Sequence, residues 1–417
     1  MNSSKRNFLA ILGPGILYTA AAVGVSHLVF ATRAGAVYGL AMIPFILFFC
    51  LIKYPALRFG NEFAAATGRT LVDSYISFGR WTLWLFGLTQ ILSMVFTVAA
   101  VSLVTTGLLN AVLGFSLGQL ADNAVLLLIS AVILITGRYH VLERLSKGIV
   151  VVFTLLIMLA TVIALFKLKL HGMELGKVSF DTPTILYIVA MAGFMPTPLD
   201  ASVLQSLWSR AKADDCNCEL SIPESRLDFN VGFITTIILA VCFVLLGMVV
   251  MYSNGVIPEK NSLGFASQVI RLFTELVGNW AFYPIGVAAV TVMFSTLLTV
   301  MDGYPRVIEA LVSDLLPRSE GKFMGRSLYD WVMVFLVFAS LTAISTLMRS
   351  FETFIDMTSV IAFLVGPLIA WLNHRSMFGH QVPKASQPGT LTRIWSGLAL
   401  LILILVSLLY IYLRITG

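Results

Sequence analysis

Gly193-Phe194-Met195-Pro196-Thr197-Pro198-Leu199-Asp200 interrupts the apolar run Pro183–Trp208, and Ala22-Val23-Gly24-Val25-Ser26-His27 interrupts the run Ile11–Tyr38. In the first of these, Pro196 and Pro198 each remove a backbone donor and clash with the preceding turn, and Pro198 holds Thr197 extended. That predicts a broken helix; a simple kink packed by neighbours is the alternative. The stretch around Gly24 has no proline. Its case rests on Gly24, Ser26 and His27 in an otherwise apolar run, with a plain helix as the alternative. Backbone groups freed at membrane depth are tolerated only where they line a cavity or bind a ligand.

Composition says why membrane depth is the right frame. The chain has 417 residues, 58% of them hydrophobic and 12% charged, with mean hydropathy +0.93. Soluble domains carry about 25% charged residues, so lipid is the solvent for most of this surface. Apolar runs of roughly 20 residues without strict alternation predict helices and not barrel strands. Eleven spans are expected, near 11–36 (broken), 38–60, 82–108, 121–137, 147–166, 184–209 (broken), 229–252, 281–302, 329–348, 352–373 and 392–413. Segment 264–278, with Arg271 and Glu275 on one side, reads as an amphipathic surface helix. Segment 305–316 opens on Pro305 and predicts a short separate helix inside the cell.

Orientation follows from the basic residues. With the N-terminus inside, most of the 27 Lys and Arg, Lys53, Arg58, Arg226 and Arg306 among them, fall on the cytoplasmic side. Arg33, Lys260, Arg271, Arg349 and Arg414 fall on the other. The bias puts the N-terminus in the cytoplasm and the C-terminus outside. It also accounts for the net charge of +6 with no nucleic-acid partner. The first apolar run has no small-residue cleavage site after it and reads as a retained span. The expected setting is a bacterial inner membrane, with the lipid bilayer and a small ion or solute as partners, no cofactor, and a monomer. Cys50 and Cys242 lie in apolar spans. Cys216 and Cys218 form a C-x-C in a polar loop, read as reduced thiols, since no further ligand sits at a zinc-like spacing.

An odd number of spans per half makes the second half enter from the opposite side. Spans 1–5 (residues 1–170) and 6–10 (171–380) therefore read as an inverted repeat, with span 11 (381–417) appended. The expected fold is an all-α integral membrane protein of the leucine-transporter-like five-plus-five kind, broken in helices 1 and 6. Matching breaks in two such halves point to the substrate site of a transporter. Ionisable groups at that depth are functional candidates. His27 sits at the first break, either at the site or as a buried imidazole on a backbone carbonyl. Asp200 sits at the start of the second half-helix, where the dipole favours a carboxylate, so a capping role is its alternative. Met195 is core packing or a soft thioether ligand. Arg33 lies six residues past His27 and reads as snorkelling to the outer face; Asp302 and Asp356 lie nearer span ends.

These residues bring out a likeness. Gly13-Pro14-Gly15, Gly35-Ala36-Val37-Tyr38-Gly39, Ala192-Gly193-Phe194-Met195-Pro196 and, loosely, the run Ser359 to Pro367 resemble the Nramp (natural resistance-associated macrophage protein) family of proton-coupled divalent-metal transporters. The resemblance implies that family's fold over the whole chain. It implies a substrate site at Gly24, Ser26, His27, Ala192, Met195, Thr197 and Ser359, with His27 and Met195 the available metal ligands; Asp200 joins the candidate substrate site as the one carboxylate near the breaks, although by the family pattern its position points elsewhere.

The departures are chemical. The family's first break reads Asp-Pro-Gly-Asn, whose Asp and Asn bind metal; those positions here are Gly24-Val25-Ser26-His27. The family's Met-Pro-His is Met195-Pro196-Thr197. A further family His, tied to proton movement, falls on Ser202, and a span 10 glutamine falls on Ser359. No acid occurs between Trp81 and Ala121, where the family's third span has its proton-exit acids. A bare divalent ion needs anionic or several oxygen ligands. The expectation is a secondary-active transporter of a metal ion or other small cation, with a degenerate metal site and no family-type proton path. A transporter of an amino acid or amine, and a non-transporting receptor or scaffold, are the alternatives. No H-E-x-x-H or phosphate-binding glycine loop points to an enzyme.

Overall fold

The computed structural model describes residues 13–137, 139–167, 176–215, 221–313, 322–323 and 326–416. The charged N-terminal run, Arg138, Lys169, Cys216, Cys218, Glu219 and Arg318 lie outside them. The described chain is nearly all helix. It begins with α1 (Pro14–Ala22), then a π-helical turn (Ser26–Ala31) running into α2 (Thr32–Tyr38), α3 (Ile43–Thr67), α4 (Leu71–Ile76) and α5 (Arg80–Leu113). α6 (Gln119–Ile135), α7 (Tyr139–Lys167), α8 (Thr182–Phe194), α9 (Ala201–Asp215) and α10 (Ile222–Leu246) follow. The rest are α11 (Ser262–Val277), α12 (Phe282–Ser313), α13 (Leu328–Leu347), α14 (Phe351–Met377) and α15 (Thr390–Thr416). One antiparallel pair, β1 (Lys322–Phe323) with β2 (Arg326–Ser327), precedes α13.

Among the described residues, seven helical stretches are long and apolar enough to cross a membrane: Ser26–Thr67, Arg80–Leu113, Ile222–Asn254, Asn279–Val312, Leu328–Leu347, Phe351–Met377 and Thr390–Thr416. Gln119–Ile135, Val151–Phe166 and Thr182–Phe194 are shorter apolar helices. Burial is inverted relative to a water-soluble protein. Trp84, Leu88, Leu155, Phe338 and Leu408 face outward, whereas Lys53, Asn61, Glu62, Gln205 and Asn373 are buried.

Glycines set how closely the helices approach. A Cβ on Gly15 would lie 2.1 Å from the Asp228 carbonyl of α10, and one on Gly232 2.4 Å from the Gly15 carbonyl. A Cβ on Gly35 would lie 2.1 Å from the Val244 carbonyl, and one on Gly247 2.4 Å from that of Thr32. Both halves of the first broken stretch thus lie backbone to backbone on α10 and its continuation, a close-packing mode that small residues permit between membrane helices. Gly60 brings α3 equally close to α9, 2.1 Å from the Ser202 carbonyl. The Gly13-Pro14-Gly15 motif has a second use. The Gly13 and Gly15 amides donate to the Asp228 carboxylate at 2.9 and 2.7 Å, which caps the start of α1 where free amides and the helix dipole favour an anion.

Two expectations are corrected. The short helix expected over 305–316 is the end of α12, which runs through Pro305. Arg306 bridges the proline turn, its Nε and Nη2 donating to Asp302 at 2.8 and 2.9 Å, so the missing backbone bond does not end the helix. Arg33 does not snorkel. It is buried and paired with Glu352 at 2.6 Å and Asp356 at 2.8 Å. Lys53 and Arg58, both within the expected span 38–60, are buried along α3. Arg58 Nε lies 3.1 Å from Glu62, which also accepts from Arg226 at 2.5 Å.

Candidate functional site

The chain stops being α-helical at two places inside its apolar core. α1 ends at Ala22, and helical hydrogen bonding resumes as the π-turn from Ser26. α8 ends at Phe194, the Met195–Pro196 bond is cis, and α9 starts at Ala201. The breaks meet across one small cavity. Ala21, Ala22, Val25 and Ser26 line it from the first, and Phe194, Thr197, Pro198, Asp200, Ala201 and Leu204 from the second. Thr97 and Val101 of α5 and Thr296, Val300 and Tyr304 of α12 close the remaining sides. The free volume is about 40 Å³, enough for a water or two and no organic solute.

Asp200 is the carboxylate on this cavity. It stands immediately before the first residue of α9, where the dipole favours a negative charge. Its Oδ2 accepts from the Tyr304 hydroxyl at 2.9 Å. Thr296 donates to the Ala20 carbonyl at 2.7 Å and so ties α12 to the end of α1. The wall is therefore mainly apolar, broken by the hydroxyls of Ser26, Thr97, Thr197, Thr296 and Tyr304 and by one acid.

Ser26, Thr197 and Asp200 line the cavity; Gly24, His27, Ala192, Met195 and Ser359 do not. His27 is fully buried and faces α10. Its Nδ1 lies 2.7 Å from Ser26 Oγ and 2.9 Å from the Ala22 carbonyl, and its Nε2 lies 2.8 Å from the Thr236 carbonyl. Both ring nitrogens face carbonyl oxygens, and the Ser26 hydroxyl itself donates to the Ala22 carbonyl at 2.5 Å. Gly24 packs on Thr296, where a Cβ would lie 3.0 Å from Cγ2. Met195 is fully buried, and Ser359 donates to the Ala190 carbonyl. Gly193 packs hard on α14, where a Cβ would fall 1.8 Å from the Ser359 carbonyl oxygen. Among the described residues, no three His, Cys, Asp or Glu side chains gather in a metal-binding group.

Sequence reasoning missed Lys53, Thr97, Thr296 and Tyr304. Lys53 is the most consequential. Its ammonium donates to the Gly193 carbonyl at 2.9 Å and to the Thr197 carbonyl at 3.0 Å, on either side of Met195. Lys53 lies well inside the expected span 38–60, and an ionisable side chain that deep is the available signal.

No protein-family model matches the chain. The sequence is 31% identical over 375 residues to "Uncharacterized protein PM0681" of Pasteurella multocida, covering 89% of this chain and 86% of that protein. Among solved structures, a histidine-to-alanine mutant of the Eremococcus coleocola manganese transporter superposes with TM-score 0.72 at 13% identity, covering 98% of this chain and 88% of that one. MhsT in complex with L-phenylalanine gives 0.63 at 14% identity, covering 97% and 99%. Mhp1, a nucleobase-cation-symport-1 family transporter with bromovinylhydantoin bound, gives 0.61 at 14%, covering 97% and 92%. At these identities the likeness is one of fold, the leucine-transporter-like fold that these transporters share.

Proposed function

We propose, from the premise that this chain belongs to the family of the Pasteurella multocida protein PM0681, that it is a secondary-active membrane transporter related to the Nramp proteins. It moves a small cation through the cavity between its two breaks by alternating access. The observation that carries this reading is the meeting of both breaks with α5 and α12 at one cavity bearing the Asp200 carboxylate. A broken pair of helices facing a shared midplane site is the expected anatomy of such a machine. The reading keeps eleven spans, an inverted repeat of 1–170 and 171–380 with 381–417 appended, and a cytoplasmic N-terminus with the C-terminus outside.

Two pins suit alternating access. Asp228 holds the start of α1 on α10. At the other end of the broken stretch, Arg33 of α2 holds Glu352 and Asp356 of α14. Beside that second pin lies a vestibule of about 550 Å³, lined by Arg33, Tyr38, Tyr187, Glu352, Asp356 and Arg414 among others. Opening either face requires releasing one pin while the other holds. The absence of an acid between Trp81 and Ala121 favours transport without the Nramp-type proton path.

The substrate class follows from charge. At an effective dielectric near 20, a dication about 6 Å from an ammonium is repelled by on the order of 5 kcal/mol. Lys53 holds its ammonium on the carbonyls flanking Met195, and His27 faces α10, so a dehydrated divalent ion is poorly served there. An organic cation, an amine or the ammonium end of an amino acid, suits Asp200 and the hydroxyl wall. Calorimetry on the full-length purified protein with amines, amino acids, Mn²⁺, Mg²⁺ and Ni²⁺ tests this. Heat from an amine or amino acid and none from the metals is expected. Metal binding without organic binding would return the divalent reading, and silence from the whole panel would favour a non-transporting scaffold.

A further inference from the structure

We propose that Lys53 is a tethered counter-ion of the second break, its ammonium standing where a free cation would otherwise have to bind. The end of a helix leaves carbonyls without amide partners and carries the negative end of the dipole. At the end of α8, Met195 N–H satisfies the Met191 carbonyl at 3.0 Å, and the next carbonyls point into the unwound segment. Transporters of this architecture can place a cation on such carbonyls. In this chain the Gly193 and Thr197 carbonyls instead accept from Lys53, a side chain 2% exposed that reaches across from α3. An ammonium carries one positive charge and three donors with no acceptor. Two donors go to these carbonyls, and the Asp200 carboxylate at the start of α9 supplies the opposite charge nearby.

The arrangement is built into the packing. Gly60, two turns along α3 from Lys53, lets α3 lie against the Ser202 backbone of α9, which sets the Lys53 stem at the level of the break. A cation attached to the chain is never released. The second break is therefore held in shape without sodium, potassium or a metal ion, and no ion travels through this position when the substrate does. Removing the ammonium leaves two buried carbonyls and a carboxylate without compensation, which is a vacant site for a small monovalent cation.

This inference rests on reading the breaks as the substrate site, but its test reads stability and not uptake, so the two fail separately. Thermal unfolding of the full-length protein in detergent is followed in choline, sodium, potassium, ammonium and methylammonium chlorides at equal ionic strength. The wild type is expected to unfold at the same temperature in choline, sodium and potassium. Lys53→Ala in choline is expected to lose on the order of 5 °C and to regain most of it, saturably, in ammonium, methylammonium or sodium. Lys53→Met, which keeps an apolar stem of similar length, provides the same reading if Lys53→Ala does not fold in choline. An effect of ammonium or methylammonium alone on the wild type reports the organic-cation site. A saturable sodium or potassium effect on the wild type would overturn the proposal. So would variants indifferent to small cations, or failure of both variants to fold even in ammonium.

Discussion

Asp200→Asn is expected to weaken binding of the organic cation by about 10- to 100-fold, the loss of one charge-assisted contact of roughly 1.5–3 kcal/mol. The substitution separates the two roles open to this residue. Asparagine caps a helix start about as well as aspartate, so a purely capping Asp200 would lose almost nothing. A charge that holds the substrate would lose most of its effect even with the side-chain shape retained. Tyr304→Phe removes the hydroxyl that donates to Asp200 at 2.9 Å but keeps the charge, and it should cost less, about threefold to tenfold. Calorimetric titration of both variants with the amine or amino acid that binds the wild type gives the comparison. Equal affinities for wild type and Asp200→Asn would reduce Asp200 to a cap.

Gly193→Ala is expected to cost about 3 kcal/mol or more, at or above the upper end of ordinary overpacking. The added methyl would sit 1.8 Å from the Ser359 carbonyl oxygen and 2.6 Å from its carbonyl carbon and hydroxyl. Two of these three atoms are backbone, so no rotamer change relieves the clash, and α8 must move off α14. The shift would also pull the Gly193 carbonyl from Lys53 and the Ala190 carbonyl from Ser359. Gly148→Ala and Gly397→Ala are the controls. Both lie in helices with nothing within 4 Å of the added carbon, so they should be neutral or stabilising by up to about 1 kcal/mol. Thermal unfolding ranks the three; a Gly193→Ala protein as stable as the controls would contradict the close approach.

The legible and illegible parts of this chain divide along physical lines. Pro196 and Pro198 act on their own backbone, so the break they make is readable from local sequence. The break at Gly24 is set by weaker local preferences and becomes readable only beside its counterpart. Glycine motifs are visible in the sequence, but their use is not: Gly15 and Gly35 matter through carbonyls of α10 more than 200 residues away. His27 illustrates the limit most clearly. Its depth is evident from the sequence, whereas its direction depends on the Thr236 carbonyl, 209 residues distant. Counting basic residues by side gives an orientation but says nothing of the burial of Lys53 and Arg58, because such a count sees charge near a span end and not the partner that buries it. Pro305 reads as a helix start because proline favours the first turn; the contacts on either side of it, Tyr304 with Asp200 and Tyr329 with Asp302, are tertiary.

The central claim is that the cavity between the breaks opens alternately to the two faces of the membrane. Cysteine accessibility tests it without knowledge of the substrate. In a background with Cys50, Cys216, Cys218 and Cys242 replaced, a single cysteine is placed at Thr197 or Thr97, both on the cavity wall. The protein is reconstituted with known sidedness and treated with a membrane-impermeant thiol reagent from one face at a time. Slow labelling from each face separately is the predicted result, with bound amine or amino acid slowing both. Labelling from one face only, or from neither over hours, would contradict alternating access and leave the chain a static membrane scaffold.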